Sequence, residues 1–124
     1  MNNQKIWRRN PQYASEAIAA ADFLCEFYNK HQHFLSMYSK RNFVEAHHLI
    51  PMRYQEIFDC SLDVHANIVS LCVVCHKKVH YCIFEDKKEI LDKLFFERET
   101  RLQQSGIRIT LEKLYSLYNE KSGT

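Results

Sequence analysis

The sequence predicts an α+β fold in which two short strands and a helix carry a metal site, with a helix and a hairpin before them and two helices after them. Three observations predict it. A histidine doublet, His47-His48, closes a segment of alternating apolar and polar residues, which is typical of a strand. A Cys-x-x-Cys-His segment follows, with another histidine one helical turn further on. The last third of the chain has apolar residues at helical spacing.

The N-terminal part is predicted to form a helix and a hairpin. Asn10-Pro11 is a helix-start signal, and the alanine-rich stretch 12–23 after it has a narrow apolar face. Two aromatic and apolar runs follow, at 23–28 and 34–38. They predict a short β-hairpin around residues 29–33.

Two strands with a long loop between them are predicted in the middle of the chain. The first covers 42–47 and ends before Pro51, because proline cannot donate to a strand ladder. Residues 52–64 show no sustained period and predict a loop. The apolar run 68–71 predicts the second strand.

Three helices are predicted after the second strand. The first starts at Cys72 and carries the last two histidines. Asp86 is the predicted cap of the second helix, which stops at Gly106. Thr110 is the predicted cap of the third, which runs to Tyr118. The apolar faces of the last two helices favour packing, or a dimer surface, over ligand binding.

A metal site is predicted from the histidines. His76 and His80 lie four residues apart, so on a helix both imidazoles point to one side and reach one metal ion. The pair needs a third ligand, which the doublet can supply. Because neighbours on a strand point to opposite faces, only one of His47 and His48 is expected to be a ligand. The other is free for chemistry, and a neutral imidazole is a suitable general base near neutral pH.

Asn67 is predicted to orient that base. A side-chain carbonyl that accepts the proton of one ring nitrogen fixes the tautomer and leaves the other nitrogen basic. Phosphodiester hydrolysis needs an activated water, a base with a pKa near neutrality and a cation that absorbs charge on the phosphate. Histidine ligands favour zinc and other transition metals, whereas magnesium prefers oxygen.

These residues resemble the HNH endonucleases, a family with a ββα-metal active site. Residues 46–51 resemble the first element of the family, 67–72 its central asparagine segment, and 75–80 its metal-binding helix. Together with Ser-Leu-Asp-Val at 61–64, the pattern is similar to the HNH domains of restriction and phage-defence proteins.

The resemblance implies a metal-dependent endonuclease that hydrolyses DNA phosphodiester bonds. His47, His76 and His80 would hold a divalent ion, with zinc, magnesium, manganese and nickel left open. His48 would be the general base, and Asn67 would orient it.

The resemblance also implies one nuclease domain, 1–124, with its core motif at 43–81 and a helical extension at 85–119. Two alternatives stay open: a zinc-stabilised nucleic-acid-binding module without catalysis, and an HNH nuclease that cleaves RNA. The presence of both His48 and Asn67 favours an enzyme, because a binding module needs neither a spare base nor a residue that orients it.

A second metal is predicted from the cysteines. Cys75 points to a different side of the helix from His76, because adjacent helical residues are rotated by about 100°, so the two are not expected to share one ion. Two thiolates make an incomplete tetrahedral zinc site. Many HNH proteins complete it with a second Cys-x-x-Cys before the doublet, and this chain has none. His33 is one candidate for the missing histidine ligand and His31 the preferred one, so the predicted structural zinc is held by Cys25, His31, Cys72 and Cys75.

The nucleic-acid contacts are predicted near the metal. Lys77 and Lys78 lie inside the metal-binding helix, and Arg53 is close in sequence to His48, so all three can contact phosphate near the site. The other basic clusters are interpreted as solvated surface: Lys5, Arg8, Arg9, Lys40 and Arg41.

Composition sets wider bounds. At 124 residues, with 46% hydrophobic and 26% charged residues, the chain is ordinary for one globular domain. A net charge of +2 does not by itself indicate nucleic-acid binding. No apolar run approaches ~18 residues and the N-terminus is polar, so we expect neither a membrane span nor a signal peptide, and a cytoplasmic location. DNA is the expected partner. A homodimer, or attachment to a separate recognition domain or subunit, would supply the second strand cut and the choice of target.

Overall fold

The described part of the chain, residues 7–119 of this computed structural model, contains four helices and a two-stranded sheet. Their order is α1 (Pro11–Ala20), β1 (Glu45–His48), β2 (Ile68–Leu71), α2 (Val73–Tyr81), α3 (Phe84–Gln104) and α4 (Leu111–Tyr118). The α+β class is confirmed. Residues 1–6 of the predicted polar tail, including Lys5, lie outside the described residues.

The sheet pairs β1 and β2 antiparallel, with His47 opposite Val69 and His48 opposite Ile68. All four residues of β2 are buried, so this strand is the centre of the molecule. β1 begins at Glu45, three residues later than predicted. α2 follows β2 directly because the Cys72 sulfur accepts a hydrogen bond from the backbone N–H of Cys75 at 3.4 Å and caps the helix.

The predicted loop between the strands is more ordered than expected. A 3₁₀-helix covers Met52–Ile57, and a second one, His65–Asn67, leads into β2. The buried side chain of Gln55 closes the segment between them, since its amide donates to Cys60 O at 2.8 Å and its carbonyl accepts from Leu62 N at 2.8 Å. Residues 52–64 are therefore held in one shape beside β1.

The predicted hairpin of runs 23–28 and 34–38 is wrong. α1 ends at Ala20, earlier than predicted, because Asp22 and Phe23 adopt left-handed φ angles of 56° and 58°. That turn sends the chain along β2, where Glu26 N donates to Ser70 O at 2.8 Å. The run 34–38 instead folds back on the residues after it, and Leu35 forms a bridge with Asn42.

A buried ion pair fixes the segment after α1. Arg98 of α3 is 4% exposed and donates to the Glu26 carboxylate at 2.6 Å and to the carbonyls of His65 and Ala66. The other oxygen of Glu26 accepts from Ser70 N at 2.7 Å. Both carboxylate oxygens of Glu26 are thus paired, and three elements are tied together.

The C-terminal helices follow the predicted order with one difference. α3 begins at Phe84 rather than after Asp86, so Asp86 lies in its first turn, where a carboxylate stabilises the helix dipole. The chain leaves α3 through Gly106 at φ +85°, and the hydroxyl of Thr110 accepts from Lys113 N to cap α4, as predicted.

The core lies between the sheet, α2, α3 and α4. The predicted face of α3 is buried as a whole: Ile90, Leu91, Leu94, Phe95, Arg98 and Leu102. Among the described helices, none has both the length and the apolar character that crossing a membrane requires.

Candidate metal centre and active site

Three histidines from β1 and α2 face one another. The ring centroids are 5.1 Å apart for His47 and His76, 5.0 Å for His47 and His80, and 4.9 Å for His76 and His80. One ligand nitrogen of each lies within 4.8 Å of the other two. The structure therefore brings together the three residues predicted as the ligands of the catalytic ion.

The separation of two of these nitrogens suits a shared ion. The Nε2 atoms of His76 and His80 are 3.2 Å apart. A tetrahedral zinc with Zn–N bonds of about 2.0–2.1 Å holds two nitrogens about 3.3 Å apart. Two facing lone pairs repel, so this approach requires a cation or a proton between them. The arrangement of α2 and β1 could thus hold a metal ion.

Hydrogen bonds fix which ring nitrogen faces that site. His76 Nδ1 lies 2.9 Å from Glu45 Oε1 and donates to it, which leaves Nε2 as the ligand. Tyr118 donates its one hydroxyl proton to Leu49 O at 2.6 Å, so it must accept from His47 Nε2–H, 2.7 Å away. Nδ1 of His47 is then the ligand atom. A residue of α4 therefore sets the tautomer of a candidate ligand on β1.

The environment of His47 and His80 lowers the pKa of both side chains. His47 is 5% exposed, and burial is the main reason that its pKa lies well below the usual value, with the charges on His76 and His80 adding to the effect. Burial also lowers the pKa of His80, followed by the charges of His76 and Lys87. Neutral imidazole is the form that binds a metal.

His48 lies at the end of β1 and is held by a carboxylate. Its Nε2 is 2.9 Å from Asp63 Oδ1, and Asp63 is 5% exposed. The second oxygen of Asp63 accepts a hydrogen bond from the backbone N–H of Asn10 at 2.6 Å. The backbone N–H of Asp63 donates to the Ser61 hydroxyl. These two hydrogen bonds hold Asp63 in place independently of its contact with His48. With Nε2–H donated to Asp63, Nδ1 of His48 is the basic nitrogen.

The predicted hydrogen bond from Asn67 to His48 is wrong. The Asn67 carbonyl accepts from Ile50 N at 2.8 Å, and its amide donates to Ile50 O at 3.1 Å and Leu62 O at 2.9 Å. Asn67 is fully buried, and these partners use both of its amide hydrogens and one of the two lone pairs of its carbonyl oxygen. It joins the two ends of the segment that places Asp63 beside His48, and its hydrogen bonds go to Ile50 and Leu62 rather than to His48.

Three residues that position the site were missed in the sequence analysis: Asp63, Glu45 and Tyr118. Asp63 left a signal, since it is an acid inside the apolar segment 61–64 that carries part of the family resemblance. Glu45 also left one, because it lies two residues from His47 on the same strand and so on the same side. Tyr118 left none, since its contact with His47 spans 71 residues.

A second cluster contains Cys25, His31, Cys72 and Cys75, and it can hold a metal such as zinc. His31 Nδ1 is 3.4 Å from Cys75 Sγ and 3.7 Å from Cys72 Sγ. Zn–S bonds of about 2.3 Å and Zn–N bonds of about 2.0–2.1 Å put sulfur and nitrogen about 3.6 Å apart in a tetrahedral site. The observed distances match that geometry. All three cysteines are buried.

The path of the chain explains this cluster. The pairing of Glu26 with Ser70 brings Cys25 alongside the end of β2, where Cys72 starts the next helix. A turn in which His31 N donates to Tyr28 O then points His31 back at the sulfurs. The predicted substitute, His33, is exposed, with its ring centroid 6.4 Å from that of His31. His31 is therefore the histidine of the cluster.

A hydrogen bond joins the thiols of Cys25 and Cys75. A hydrogen bond from Cys75 lowers the pKa of Cys25 far below the ordinary value for a thiol, with burial opposing it, and the same bond raises the pKa of Cys75. One thiolate among buried thiols carries a charge that needs a partner. A zinc ion is such a partner, because it binds thiolates.

Of the predicted phosphate contacts, Arg53 and Lys77 act on the histidine cluster, whereas Lys78 lies two residues from both His76 and His80 and so on another face of α2. Lys77 is exposed on α2 with its amine 5.5 Å from the Tyr81 ring centroid, and Lys78 is half-buried on the same helix. The guanidinium of Arg53 lies over Tyr54, at 4.9 Å. The charges of Arg53, Lys77 and Lys87 all lower the pKa of His80, so they act on the site electrostatically.

The chain is similar to one characterised enzyme, and no family model matches it. The type IV methyl-directed restriction enzyme EcoKMcrA of Escherichia coli strain K12 is 27% identical over 92 residues. The match covers 74% of this chain and 30% of that enzyme, so the chain spans less than a third of the length of the relative. The chain thus has a distant similarity to a restriction enzyme.

Proposed function

We propose that this protein is a metal-dependent endonuclease of the HNH type that hydrolyses phosphodiester bonds of DNA. The observation that carries the proposal is the convergence of His47, His76 and His80 next to His48, whose Nε2 a buried carboxylate holds. Hydrogen bonds set the tautomers of His47 and His76. The similarity to a methyl-directed restriction enzyme supports DNA as the substrate. Fold type, ligand roles and substrate class are all part of this proposal.

His48 is the general base in this proposal. Its Nδ1 takes the proton of a water as the water oxygen attacks phosphorus, and the phosphorus–oxygen bond to the leaving strand breaks. The Asp63 carboxylate stabilises the imidazolium that forms, because one of its oxygens accepts the hydrogen bond from His48 while the other is held by Asn10 N–H. The role of Asn67 is to hold the segment that carries Asp63.

His47, His76 and His80 are the residues that would hold a divalent ion, and their nitrogen chemistry fits a transition metal. When bound, the ion supplies positive charge to the phosphate oxygens in the transition state. Arg53, Lys77 and Lys87 add phosphate-binding charge on the same side, where each already acts on His80.

The Cys25, His31, Cys72 and Cys75 cluster holds a structural zinc in this proposal. A closed set of four protein ligands leaves no open position, which is typical of structural rather than catalytic zinc. Two ligands lie before β1 and two at the start of α2, so the ion ties the N-terminal segment to the helix that carries His76 and His80.

A plasmid assay tests the proposed activity. Supercoiled DNA and a structured RNA are incubated separately with purified protein, with zinc, magnesium, manganese or nickel varied. We expect metal-dependent conversion of the plasmid to the nicked form, and to the linear form if two copies act together, which a molar-mass measurement decides. Cleavage of RNA without cleavage of DNA would contradict the proposed substrate, and loss of neither substrate with any ion would contradict the proposed chemistry.

Asp63→Asn should lower the rate of DNA cleavage by about 100-fold, within the range typical of residues that orient a catalytic group. Asparagine removes the charge that stabilises the imidazolium of His48. The NH₂ group of the asparagine would also face another donor, either Asn10 N–H or His48 Nε2–H, so one hydrogen bond would be lost. The turnover number should fall while KM and the content of divalent ion stay unchanged.

The matched control is Asp59→Asn, which makes the same change on an exposed residue of the same segment and should cleave normally. If Asp63→Asn and Asp59→Asn cut equally fast, Asp63 has no role in orienting the base. A loss of the divalent ion in Asp63→Asn would instead show that the carboxylate supports the metal site.

A further inference from the structure

A rigid loop next to the candidate site exposes apolar side chains. The loop 34–42 carries Phe34, Leu35, Met37 and Tyr38, which are 54%, 69%, 71% and 90% exposed. Four large apolar side chains exposed within five residues make this loop an apolar patch, unlike the single exposed apolar residues that are normal on a surface. Such a patch marks a place where another molecule binds.

Hydrogen bonds hold the loop in one shape. Its base is the bridge between Leu35 and Asn42. Ser36 N donates to Arg41 O at 2.8 Å, and the Ser36 hydroxyl accepts from the N–H of Tyr38 at 3.1 Å. Lys40 completes the turn with a left-handed φ of 62°. The apolar side chains are therefore presented by a preformed turn.

The loop is fixed to the body of the protein at its base. The Asn42 amide donates to Phe23 O at 2.9 Å, and the Phe43 ring stacks on Phe34 at 4.9 Å between centroids. Arg41 pairs with Asp22 at 2.7 Å. A binding partner would meet a surface that needs little ordering, which favours affinity.

Charge identifies the kind of partner. Between Phe27 and Val44 the chain contains Lys30, Lys40 and Arg41 and no aspartate or glutamate. Asp22 neutralises Arg41, and the two lysines flank the apolar patch. Apolar residues with cations on both sides suit a partner whose apolar faces lie between rows of negative charge. Stacked bases between phosphate backbones have that pattern.

The loop also lies within reach of the same duplex as the site. Asn42 is five residues before His47, so their Cα atoms are at most about 18 Å apart. That length equals about five base-pair steps of 3.4 Å. A duplex seated on the histidine cluster can therefore contact the loop.

We propose that the loop 34–42 is an apolar wedge that places Met37 and Tyr38 against the bases of duplex DNA. Apolar side chains inserted at a base step partly unstack it and kink the duplex. Lys40 contacts a flanking phosphate. The inference rests on DNA being the substrate, and it assigns to this loop the contact that anchors the duplex.

The test compares the affinities of two variants for duplex DNA at one fixed salt concentration. A Met37→Ser and Tyr38→Ser double variant and a matched control, Phe96→Ser, are each made in the full-length His48→Ala protein. Phe96 is 63% exposed on α3, away from the loop. We expect the affinity for a fluorescent 30-base-pair duplex to fall by about 10- to 100-fold in the double variant, the range of losing one stacked base. The control should bind normally.

The salt dependence separates the wedge from general charge effects. The double variant should keep the slope of log affinity against log salt, whereas Lys40→Gln should lower the slope by about one. Equal melting temperatures exclude misfolding. If the double variant misfolds, the single change Tyr38→Ala, which alters the most exposed side chain, replaces it.

A small substrate separates the test of the loop from the test of the proposed nuclease activity. Bis(p-nitrophenyl) phosphate is a phosphodiester without bases, and the double variant in an otherwise unchanged protein should hydrolyse it normally. If the protein with and without the double change hydrolyses this substrate and binds DNA equally tightly, the wedge is contradicted and the proposed nuclease activity is not. Weakened DNA binding with no hydrolysis by either protein overturns the nuclease and supports the wedge. A dimer that becomes a monomer in the double variant overturns the wedge, because a second copy then covers the patch.

Discussion

His48→Ala should abolish DNA cleavage and leave the bound divalent ion in place. General bases contribute about 100- to 10,000-fold to enzymatic rates, so the residual activity should be at the limit of detection. The ion stays because the three nitrogens that would hold it belong to other residues, and His48 is bound to Asp63 instead. Metal analysis and a plasmid assay on the same preparation measure both effects.

His80→Ala is the matched control for that experiment. It changes another histidine four residues after His76 and should lose both the activity and the divalent ion, since two nitrogens hold an ion less tightly than three. A His48→Ala protein that cuts normally contradicts the assignment of the base. A His48→Ala protein without its ion would show that His48 is a ligand.

Cys25→Ser should remove a tightly held zinc and lower the melting temperature by about 10 °C or more. Binding of a structural zinc contributes directly to folding free energy, and each kcal/mol lost shifts the midpoint of a domain of this size by about 4 °C. The change also breaks the tie between the segment after α1 and the start of α2. Metal analysis and thermal unfolding are the measurements.

Cys82→Ser is the control, because Cys82 is a free cysteine outside the cluster and should keep both zinc and stability. His80→Ala should also retain this zinc, since it alters only the histidine cluster. Unchanged zinc content and melting temperature in Cys25→Ser would show that Cys25 is only a buried thiol.

Local patterns in the sequence predicted the elements that carry the candidate site. His76 and His80 come together because their spacing is one helical turn, and the strand position of His47 follows from alternation along β1. Cys25 and His31 joined Cys72 and Cys75 because a tetrahedral site requires four ligands. The functional roles of these residues remain predictions, whereas their proximity is now a structural fact.

The remaining features depend on contacts between distant residues. The hairpin was misplaced because left-handed residues at the end of α1 turn the next segment onto β2, and β2 offers backbone partners that the run 34–38 does not. Asn67 was misassigned for a similar reason. Its three hydrogen bonds go to backbone atoms of Ile50 and Leu62, and a motif does not encode such partners.

The contact of Tyr118 with His47 has a thermal consequence. Tyr118 is the last residue of α4, and helix ends open locally at lower temperatures than the core around them. When that last turn frays, the acceptor for His47 Nε2–H leaves and the imidazole can rotate. We therefore expect the ring orientation of His47 to be lost on heating before the whole domain melts.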